Sequence, residues 1–352
     1  MPGRGGGGEP RVIHGAAGRH HRDYGSRRRH PARELGGRRA RGVVTTALHL
    51  GRLSSGTRVD RNVALAPYTS LRVGGRADLF AITEEVEGLR ELVGWAAGQG
   101  IPWRVIGRGS NLVIADRGFR GLIIRMESTR LTIVEEDAGA LVTASAGTSL
   151  AHLARETAAR GWTGFEFAAA IPGTLGGAVV QNAGAHAGDM RGVLRSARVL
   201  RDDGSVDDLP LSALDLSYRD SALKRASPRP VVVEATFVLK PSPAAEALAR
   251  IDEIRHWRRE HQPTEMSAGS TFTNPPGEFA GRLIERAGLK GRAIGGAAIS
   301  TRHANFIVNQ GGASAEDVAS LICLARSEVE RRFGIALVPE VEFLGDWSEF
   351  PA

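Results

Sequence analysis

The most informative stretch of the chain is Ile171-Pro172-Gly173-Thr174-Leu175-Gly176-Gly177-Ala178, which continues to Gln181-Asn182-Ala183-Gly184-Ala185. Its fifteen residues include one proline, four glycines and no charged side chain. Side chains this small let a flat ligand or a phosphate approach the backbone closely. Thr174 is placed to begin a short helix, and a helix N-terminus favours a phosphate. On these residues alone, a tightly packed structural turn remains the alternative.

A second glycine loop, Gly107-Arg108-Gly109-Ser110-Asn111, comes earlier in the chain. It follows a predicted strand at 103–106, and Leu112 leads into another strand instead of a helix. The dinucleotide fingerprint of doubly wound folds needs a third glycine at the start of a helix, so that form is excluded. What remains is a strand–turn–strand loop that cradles a pyrophosphate with its N–H groups. An ordinary glycine turn fits these residues equally well.

Around these loops the sequence alternates between strand and helix patterns. Strands are predicted at 103–106, 112–115, 122–125, 131–135, 141–145, 197–201 and 231–239. Helices are predicted from a Thr83 cap to about Gly98, from Thr148 to Gly161, and at 244–261, 278–287 and 315–333. The last helix begins with Ser314 and Asp317 at capping-box-like spacing. Hairpins mixed with helices indicate an α+β chain and not a regular βαβ array.

The composition limits the class of protein. The chain has 352 residues, enough for two or three domains. No stretch approaches the roughly 18 consecutive apolar residues that indicate a membrane helix. Cys323 is the single cysteine, which excludes an internal disulfide. The ten histidines form no metal-binding pattern, so no metal is predicted. No nucleophile elbow or triad order of a hydrolase is present.

The formal net charge of +7 belongs to the N-terminal segment. Residues 1–45 carry eleven arginines and three acidic residues, a net charge of +8, which leaves about −1 for the remaining chain. Such a Gly/Arg-rich composition cannot form a core, and a disordered, functionless extension is predicted over 1–50. A shorter true start, near Val43 or Val44, would account for it. An RNA- or anion-binding segment and an organellar transit peptide are the alternatives.

Three further side chains lie in settings that suit chemistry. Arg219 follows Tyr218 in a polar turn, and its guanidinium presents a rigid fork suited to carboxylate or phosphate. Ser270 lies on a bend of small residues, a suitable position for a proton donor. Glu340 enters a predicted buried terminal strand. An ordinary surface turn and a salt-bridge partner are the plain alternatives for Arg219 and Glu340.

In their order and spacing, these motifs resemble the UDP-N-acetylenolpyruvoylglucosamine reductase family of peptidoglycan synthesis. The resemblance covers about residues 65–345, and the segment before about residue 51 has no counterpart. So many collinear matches are highly specific. The matching runs are 69–75, 107–112, 164–167, 171–184, 218–221, 268–275, 287–291, 294–297, 303–309 and 339–341.

The resemblance implies an α+β architecture with an FAD-binding fold of the vanillyl-alcohol-oxidase-like (PCMH) type. We therefore expect an FAD-binding domain over 51–240, with subdomains at about 65–127 and 128–240. A C-terminal α+β domain for the UDP-sugar is expected over 241–352. The short interval between the Tyr218 turn and the Ser270 bend resembles the compact type that lacks an extra substrate loop. The resemblance also implies a cytoplasmic monomer.

The same resemblance implies NADPH-dependent, FAD-mediated reduction of UDP-N-acetylglucosamine enolpyruvate to UDP-N-acetylmuramate. By motif position, Arg219 stabilises the charge that hydride addition develops, Ser270 protonates the adjacent carbon, and Glu340 orients the reacting group. The expected substrate contacts are Tyr218, Asn274 and His303. The expected FAD contacts are Arg72, Gly107, Gly109, Ser110, Asn111, Ile171, Pro172, Gly173, Gly176, Gly177, Asn182 and Gly184.

Two other functions share parts of this pattern. Another FAD oxidoreductase, acting on small alcohols, would have the same fold but would not need the substrate-side motifs after Pro241. A non-enzymatic RNA- or anion-binding protein would use the basic tail, and the near-neutral remainder of the chain argues against it. Thr273 stands where many family members have a basic residue, a departure that concerns the diphosphate contacts.

Overall fold

The computed structural model describes residues 57–347 and the backbone of a two-residue strand, β1 (Ile13–His14). Apart from β1, the extension predicted over residues 1–50 lies outside the described residues. Within the described part, helices and strands mix without a regular βαβ repeat, which confirms the predicted α+β class.

The first part of the described chain is a four-stranded sheet covered by one helix. The sheet order is β2-β3-β6-β4, in which β3, β6 and β4 are parallel. Apolar residues on one stripe of α1, among them Leu89, Leu92 and Val93, are fully buried. The elements are β2 (Val59–Ala64), β3 (Arg76–Thr83), α1 (Val86–Gly98), β4 (Trp103–Ile106), β5 (Leu112–Ile114) and β6 (Phe119–Met126).

The second part is built around a larger, mostly antiparallel sheet. Its elements are β7 (Leu131–Glu136), β8 (Gly139–Ser145), α2 (Leu150–Ala159), β9 (Trp162–Thr163), α3 (Leu175–Val180), β10 (Gly184–Ala185), β11 (Gly188–Asp189), β12 (Leu194–Leu200), β13 (Val206–Pro210), α4 (Leu211–Leu214), α5 (Ala222–Arg225) and β14 (Val231–Pro241). The order is β1-β7-β8-β14-β12-β13. The strand β1 was not predicted; it satisfies backbone groups that an edge strand such as β7 otherwise leaves unpaired.

The third part packs helices against a small antiparallel sheet with the order β15-β18-β17-β16. Its apolar core is formed mainly by α7, α8 and the sheet strands. The elements are α6 (Ala244–His261), β15 (Met266–Ser270), α7 (Ala280–Arg286), β16 (Ala293–Ile294), β17 (Ala297–Ile299), β18 (Phe306–Asn309), α8 (Ala315–Phe333) and β19 (Glu342–Leu344).

Many contacts join the third part to the other two, and three of them show how the parts fit together. Ala247 and Ile251 of α6 are buried in the same core as α2. The terminal strand β19 pairs in parallel with β5 of the first part. The Asp116 carboxylate accepts the N–H groups of residues 315 and 316, both at 3.0 Å, and so caps α8. These contacts cross the residue 240/241 boundary, and the division into domains there stays a prediction.

The structure corrects two helix starts, since α7 begins at Ala280 and not at residue 278, and α1 lacks its predicted cap. The helices predicted at 244–261 and 315–333 have those bounds, and the Ser314–Asp317 capping box is formed. Thr83, in contrast, does not cap α1, because it ends β3 and its hydroxyl accepts the Glu85 N–H within a local turn. The N-cap position is Glu85, in extended conformation. The predicted N-cap, Thr83, was therefore wrong by two residues.

Candidate active site

A cavity of about 1210 Å³ lies where the three parts of the chain meet. The glycine loops at 107–111 and 171–177 both line it. They approach each other closely, since a Cβ at Gly107 would lie 2.2 Å from Thr174 Oγ1. Glycine at this position therefore lets the backbone of the first loop approach the Thr174 side chain at the cavity wall. Thr174 is the N-cap of α3, as the sequence predicted.

Ten of the twelve predicted cofactor residues line this cavity, and two do not. The ten are Gly107, Gly109, Ser110, Asn111, Ile171, Pro172, Gly173, Gly176, Gly177 and Gly184. Arg72 is exposed, and its Nη1 donates to the Pro67 carbonyl. Asn182 is 1% exposed, and its amide donates to the Ser217 carbonyl at 2.8 Å. Both have left-handed backbone, with φ of 60° and 42°, so they shape turns behind the cavity wall.

The three predicted catalytic residues meet beside a second cavity of about 350 Å³. Arg219, Ser270 and Glu340 line both this cavity and the larger one. Arg219 Nε lies 2.7 Å from Glu340 Oε1, and its Nη2 donates to the Gly184 carbonyl at 2.7 Å. The structure thus brings together side chains from three distant segments.

Arg219 and Glu340 form a half-buried ion contact. Burial is the largest influence on Glu340 and raises its pKa above the ordinary value, while the charges of Arg219 and Lys224 act in the opposite direction. Arg219 Nε and Glu340 Oε1 are close, but the Nε–H direction departs from that of a well-formed hydrogen bond. The pair is therefore held mainly by charge.

Local backbone geometry places each of these side chains. Arg219 has a φ of 55° in a tight turn, and Lys224 Nζ donates to its carbonyl at 2.8 Å. Ser270 ends β15 next to an irregularity in the pairing with β18, where Gly269 has a φ of 77°. A β-bulge of this kind redirects the side chain that follows it.

Glu340 is held by Asn111 of the 107–111 glycine loop. The Asn111 side chain donates to the Glu340 carbonyl at 3.0 Å, and the Glu342 N–H donates to the Asn111 carbonyl at 2.9 Å. Asn111 therefore binds the chain on both sides of Val341. The glycine loop and the carboxylate are parts of one hydrogen-bonded unit.

The predicted substrate residues line the smaller cavity. Tyr218 and Asn274 are exposed there, and the Asn274 N–H donates to the Tyr218 hydroxyl at 3.4 Å. His303 accepts the Asn305 N–H on Nδ1 at 3.2 Å, so Nε2 carries the proton of the neutral ring. Burial lowers the pKa of His303 and favours that neutral form.

Sequence reasoning missed a polar cluster on the wall of the larger cavity. The Glu342 carboxylate accepts from Gln181 Nε2 at 2.7 Å, from Arg229 Nη1 at 2.9 Å and from Arg104 Nη2 at 3.4 Å. All four residues line the cavity. They come from four separate segments, and only Gln181 stands in a run that the sequence marks, so the fold is needed to reveal the cluster.

Within residues 57–347, no three histidine, cysteine or acidic side chains come together as metal ligands. In the same region, no helix has both the length and the apolar character needed to cross a membrane.

Two family models and several known proteins match the chain. Residues 77–209 match a model described as FAD binding domain, and residues 262–344 match the C-terminal domain of UDP-N-acetylenolpyruvoylglucosamine reductase. The reductase of Lachnoclostridium phytofermentans is 41% identical over 84% of this chain and 96% of its own length. That of Synechocystis sp. is 42% identical over 84% of this chain and 93% of its own length.

A solved structure agrees with these relatives. The crystal structure of UDP-N-acetylenolpyruvylglucosamine reductase (MurB) from Thermus caldophilus matches with a TM-score of 0.69 and 36% identity. The match covers 82% of this chain and 99% of that chain. The chain belongs to the UDP-N-acetylenolpyruvoylglucosamine reductase family. It is accordingly an oxidoreductase with an FAD-binding fold of the predicted two-subdomain type.

The larger cavity suits FAD in size and in its unused polar groups. Its volume exceeds the roughly 300–1,000 Å³ of an ordinary small-molecule pocket, as a dinucleotide requires. Five buried side-chain polar atoms of the described residues lack a hydrogen-bond partner, and three of them belong to cavity residues. These are Gln181 Oε1, Arg219 Nε and Arg229 Nε. Since buried polar atoms are normally paired, a polar ligand in this cavity is expected.

Proposed function

We propose that the protein reduces UDP-N-acetylglucosamine enolpyruvate to UDP-N-acetylmuramate, with FAD as bound cofactor and NADPH as reductant. Membership of the reductase family supports a role in peptidoglycan precursor reduction. The observation that carries the proposal is the meeting of Arg219, Ser270 and Glu340 at the junction of the two cavities.

The two cavities take different ligands in this proposal. The glycine loops of the larger cavity would hold FAD, for which NADPH would be the reductant. The smaller cavity takes the UDP-sugar, which Tyr218, Asn274 and His303 bind. The neutral His303 ring offers Nε2–H as a donor, because Nδ1 already accepts a backbone N–H.

Arg219 stabilises the charge that develops in the reaction. When bound, FAD would supply hydride-transfer chemistry between NADPH and the terminal methylene carbon of the enolpyruvyl group. Negative charge then develops on the substrate toward its carboxylate. The Arg219 guanidinium is already fixed by Gly184 and Glu340, so it stabilises this charge with little reorganisation.

Ser270 donates the proton that completes the reduction. Its hydroxyl makes no hydrogen bond to another described side chain or backbone group, and it lines both cavities. A serine hydroxyl is a weak acid near neutral pH, so the receiving carbon must be strongly basic and the transfer distance short. Glu340 holds Arg219 and orients the reacting group.

The remaining proposals concern the domains, the location, the oligomeric state and the use of the product. We assign an FAD-binding domain to 51–240 and a UDP-sugar domain to 241–352, working in the cytoplasm as a monomer. The product feeds cell-wall synthesis and thereby cell shape and division. We propose no role in nucleic-acid binding.

A flavin spectrum tests the function directly. The purified protein is expected to be yellow, to be bleached by NADPH under anaerobic conditions, and to recover its colour when the enolpyruvyl UDP-sugar is added. Reoxidation by oxygen but not by the UDP-sugar would point instead to an oxidase. Protein that binds no FAD after gentle purification would exclude the proposal.

A further inference from the structure

The polar cluster on Glu342 leaves two hydrogen-bonding atoms unused. One is Gln181 Oε1 and the other is Arg229 Nε, and both are buried without a partner. Both residues line the larger cavity and bind the same Glu342 oxygen, Gln181 Nε2 at 2.7 Å and Arg229 Nη1 at 3.1 Å. The Glu342 carboxylate therefore holds in place both residues that carry an unpaired atom.

The Glu342 carboxylate determines which of the two unpaired atoms accepts a hydrogen bond and which one donates. A carboxylate only accepts, so the Gln181 amide must direct its NH₂ group at Glu342 and keep its oxygen unpaired. Arg229 uses Nη1 for Glu342 and Nη2 for the Lys224 carbonyl at 3.2 Å, which leaves Nε–H. Gln181 thus offers an acceptor, and Arg229 offers a donor.

The surroundings of the cluster give it rigidity. Arg104 adds a second guanidinium to the same carboxylate, and burial is the main influence that lowers the pKa of Arg104. Two arginines against one carboxylate leave a net positive charge. An unpaired atom in such a rigid, half-buried cluster costs stability unless a ligand fills it.

We propose that Gln181 Oε1 and Arg229 Nε together bind the hydrogen-bonding edge of one heteroaromatic ring of FAD. Both rings of the cofactor offer the matching pattern: adenine has an amino donor beside a ring-nitrogen acceptor, and the flavin pyrimidine has an N–H beside carbonyl acceptors. Glu342 and Arg104 are positioning residues in this site. The inference rests on the proposed function, because it assumes that FAD occupies the larger cavity.

The test measures cofactor affinity and needs no turnover. Apoprotein variants Gln181→Leu and Arg229→Lys are titrated with FAD, with quenching of flavin fluorescence as the signal. Loss of one buried hydrogen bond is expected to weaken FAD binding about 5- to 30-fold in each variant. Gln181→Met serves if Gln181→Leu fails to fold, as judged by thermal unfolding.

Thr148→Val is the matched control. Thr148 is fully buried and its Oγ1 also lacks a partner, but it does not line the cavity. Its removal is expected to leave FAD affinity unchanged. If Gln181→Leu and Arg229→Lys behave like Thr148→Val, the inference is wrong, although the function stands.

An FAD analogue with hypoxanthine in place of adenine identifies the ring. If adenine is the partner, wild type binds the analogue more weakly, and Gln181→Leu shows little further loss. If the flavin ring is the partner, Gln181→Leu weakens FAD and the analogue by the same factor. Wild-type apoprotein that binds neither dinucleotide would instead contradict the proposed function.

Discussion

The wall built by the glycine loops and the junction occupied by Arg219, Ser270 and Glu340 differ in construction. The wall is formed by two glycine loops that approach closely, and a Cβ at Gly107 would meet Thr174 Oγ1 at 2.2 Å. The junction consists of side chains from three segments, in which Arg219 contacts Glu340 and the Gly184 carbonyl, each at 2.7 Å. The wall can hold a cofactor by shape, whereas the junction offers groups that stabilise charge or move a proton.

Because of this difference, substitutions in the two regions should have separable effects. A change in the wall should alter cofactor affinity, because it displaces backbone. A change at the junction should leave the cofactor bound and alter one step of the reaction.

The largest effect is expected from Ser270→Ala. Loss of the proton donor should slow reoxidation of the reduced flavin by the UDP-sugar about 10²- to 10⁴-fold, with reduction by NADPH unchanged. Stopped-flow absorbance of the two half-reactions measures both rates. Ser267→Ala, in the same strand but outside both cavities, is the control. Equal slowing of both half-reactions would contradict the proton-donor role.

Gly107→Ala should chiefly affect the wall. Overpacking against Thr174 costs about 1–3 kcal/mol, which is expected to weaken FAD binding about 5- to 150-fold if it falls on the cofactor-bound state. The double variant Gly107→Ala/Thr174→Ala should recover part of the loss, since the clashing hydroxyl is gone. Gly94→Ala, in α1 with no atom near the added methyl, is the neutral control. Unchanged FAD affinity in Gly107→Ala would show that the close approach of Gly107 to Thr174 does not contribute to FAD binding.

Glu340→Gln tests the electrostatics of the junction through pH. Burial raises the pKa of Glu340 above 4.5, so folding favours its protonated form. The stabilising contribution is complete below the unfolded-state pKa and is lost as pH rises through the folded-state pKa. The free energy of unfolding of wild type relative to Glu340→Gln should therefore fall as pH rises from about 4. Urea unfolding at fixed FAD measures this difference, and parallel curves would be inconsistent with a raised pKa.

Arg72→Ala should have the smallest effect. Its side chain is exposed and lies outside the cavity wall, so FAD affinity is expected to change by no more than about twofold. Isothermal titration of the apoprotein with FAD gives the value. A tenfold loss of FAD affinity would instead support the Arg72–FAD contact that the sequence predicted.

The sequence predicted the wall better than its polar lining. The runs at 107–111 and 171–185 are local, and their small residues show that backbone is exposed to a ligand. The helices at 244–261 and 315–333 were equally clear, because their periodicity and caps are local too.

Arg229 and Glu342 had no such signal, and Gln181, which does stand in the 171–185 run, meets them only after β19 has paired with β5. Asn182 shows the limit of a local signal. It lies in the same run, but its side chain donates to the Ser217 carbonyl behind the wall, and its contact with FAD stays a prediction. The convergence of Arg219, Ser270 and Glu340 was expected from family resemblance, because spacing along the chain carries no information about it.

The most direct test of the account is a crystal structure with FAD and the enolpyruvyl UDP-sugar bound. The account predicts Ser270 Oγ within about 3.5 Å of the substrate carbon to be protonated, with Arg219 and Glu340 contacting the same group. A substrate seated elsewhere, or a flavin ring remote from the junction, would contradict it.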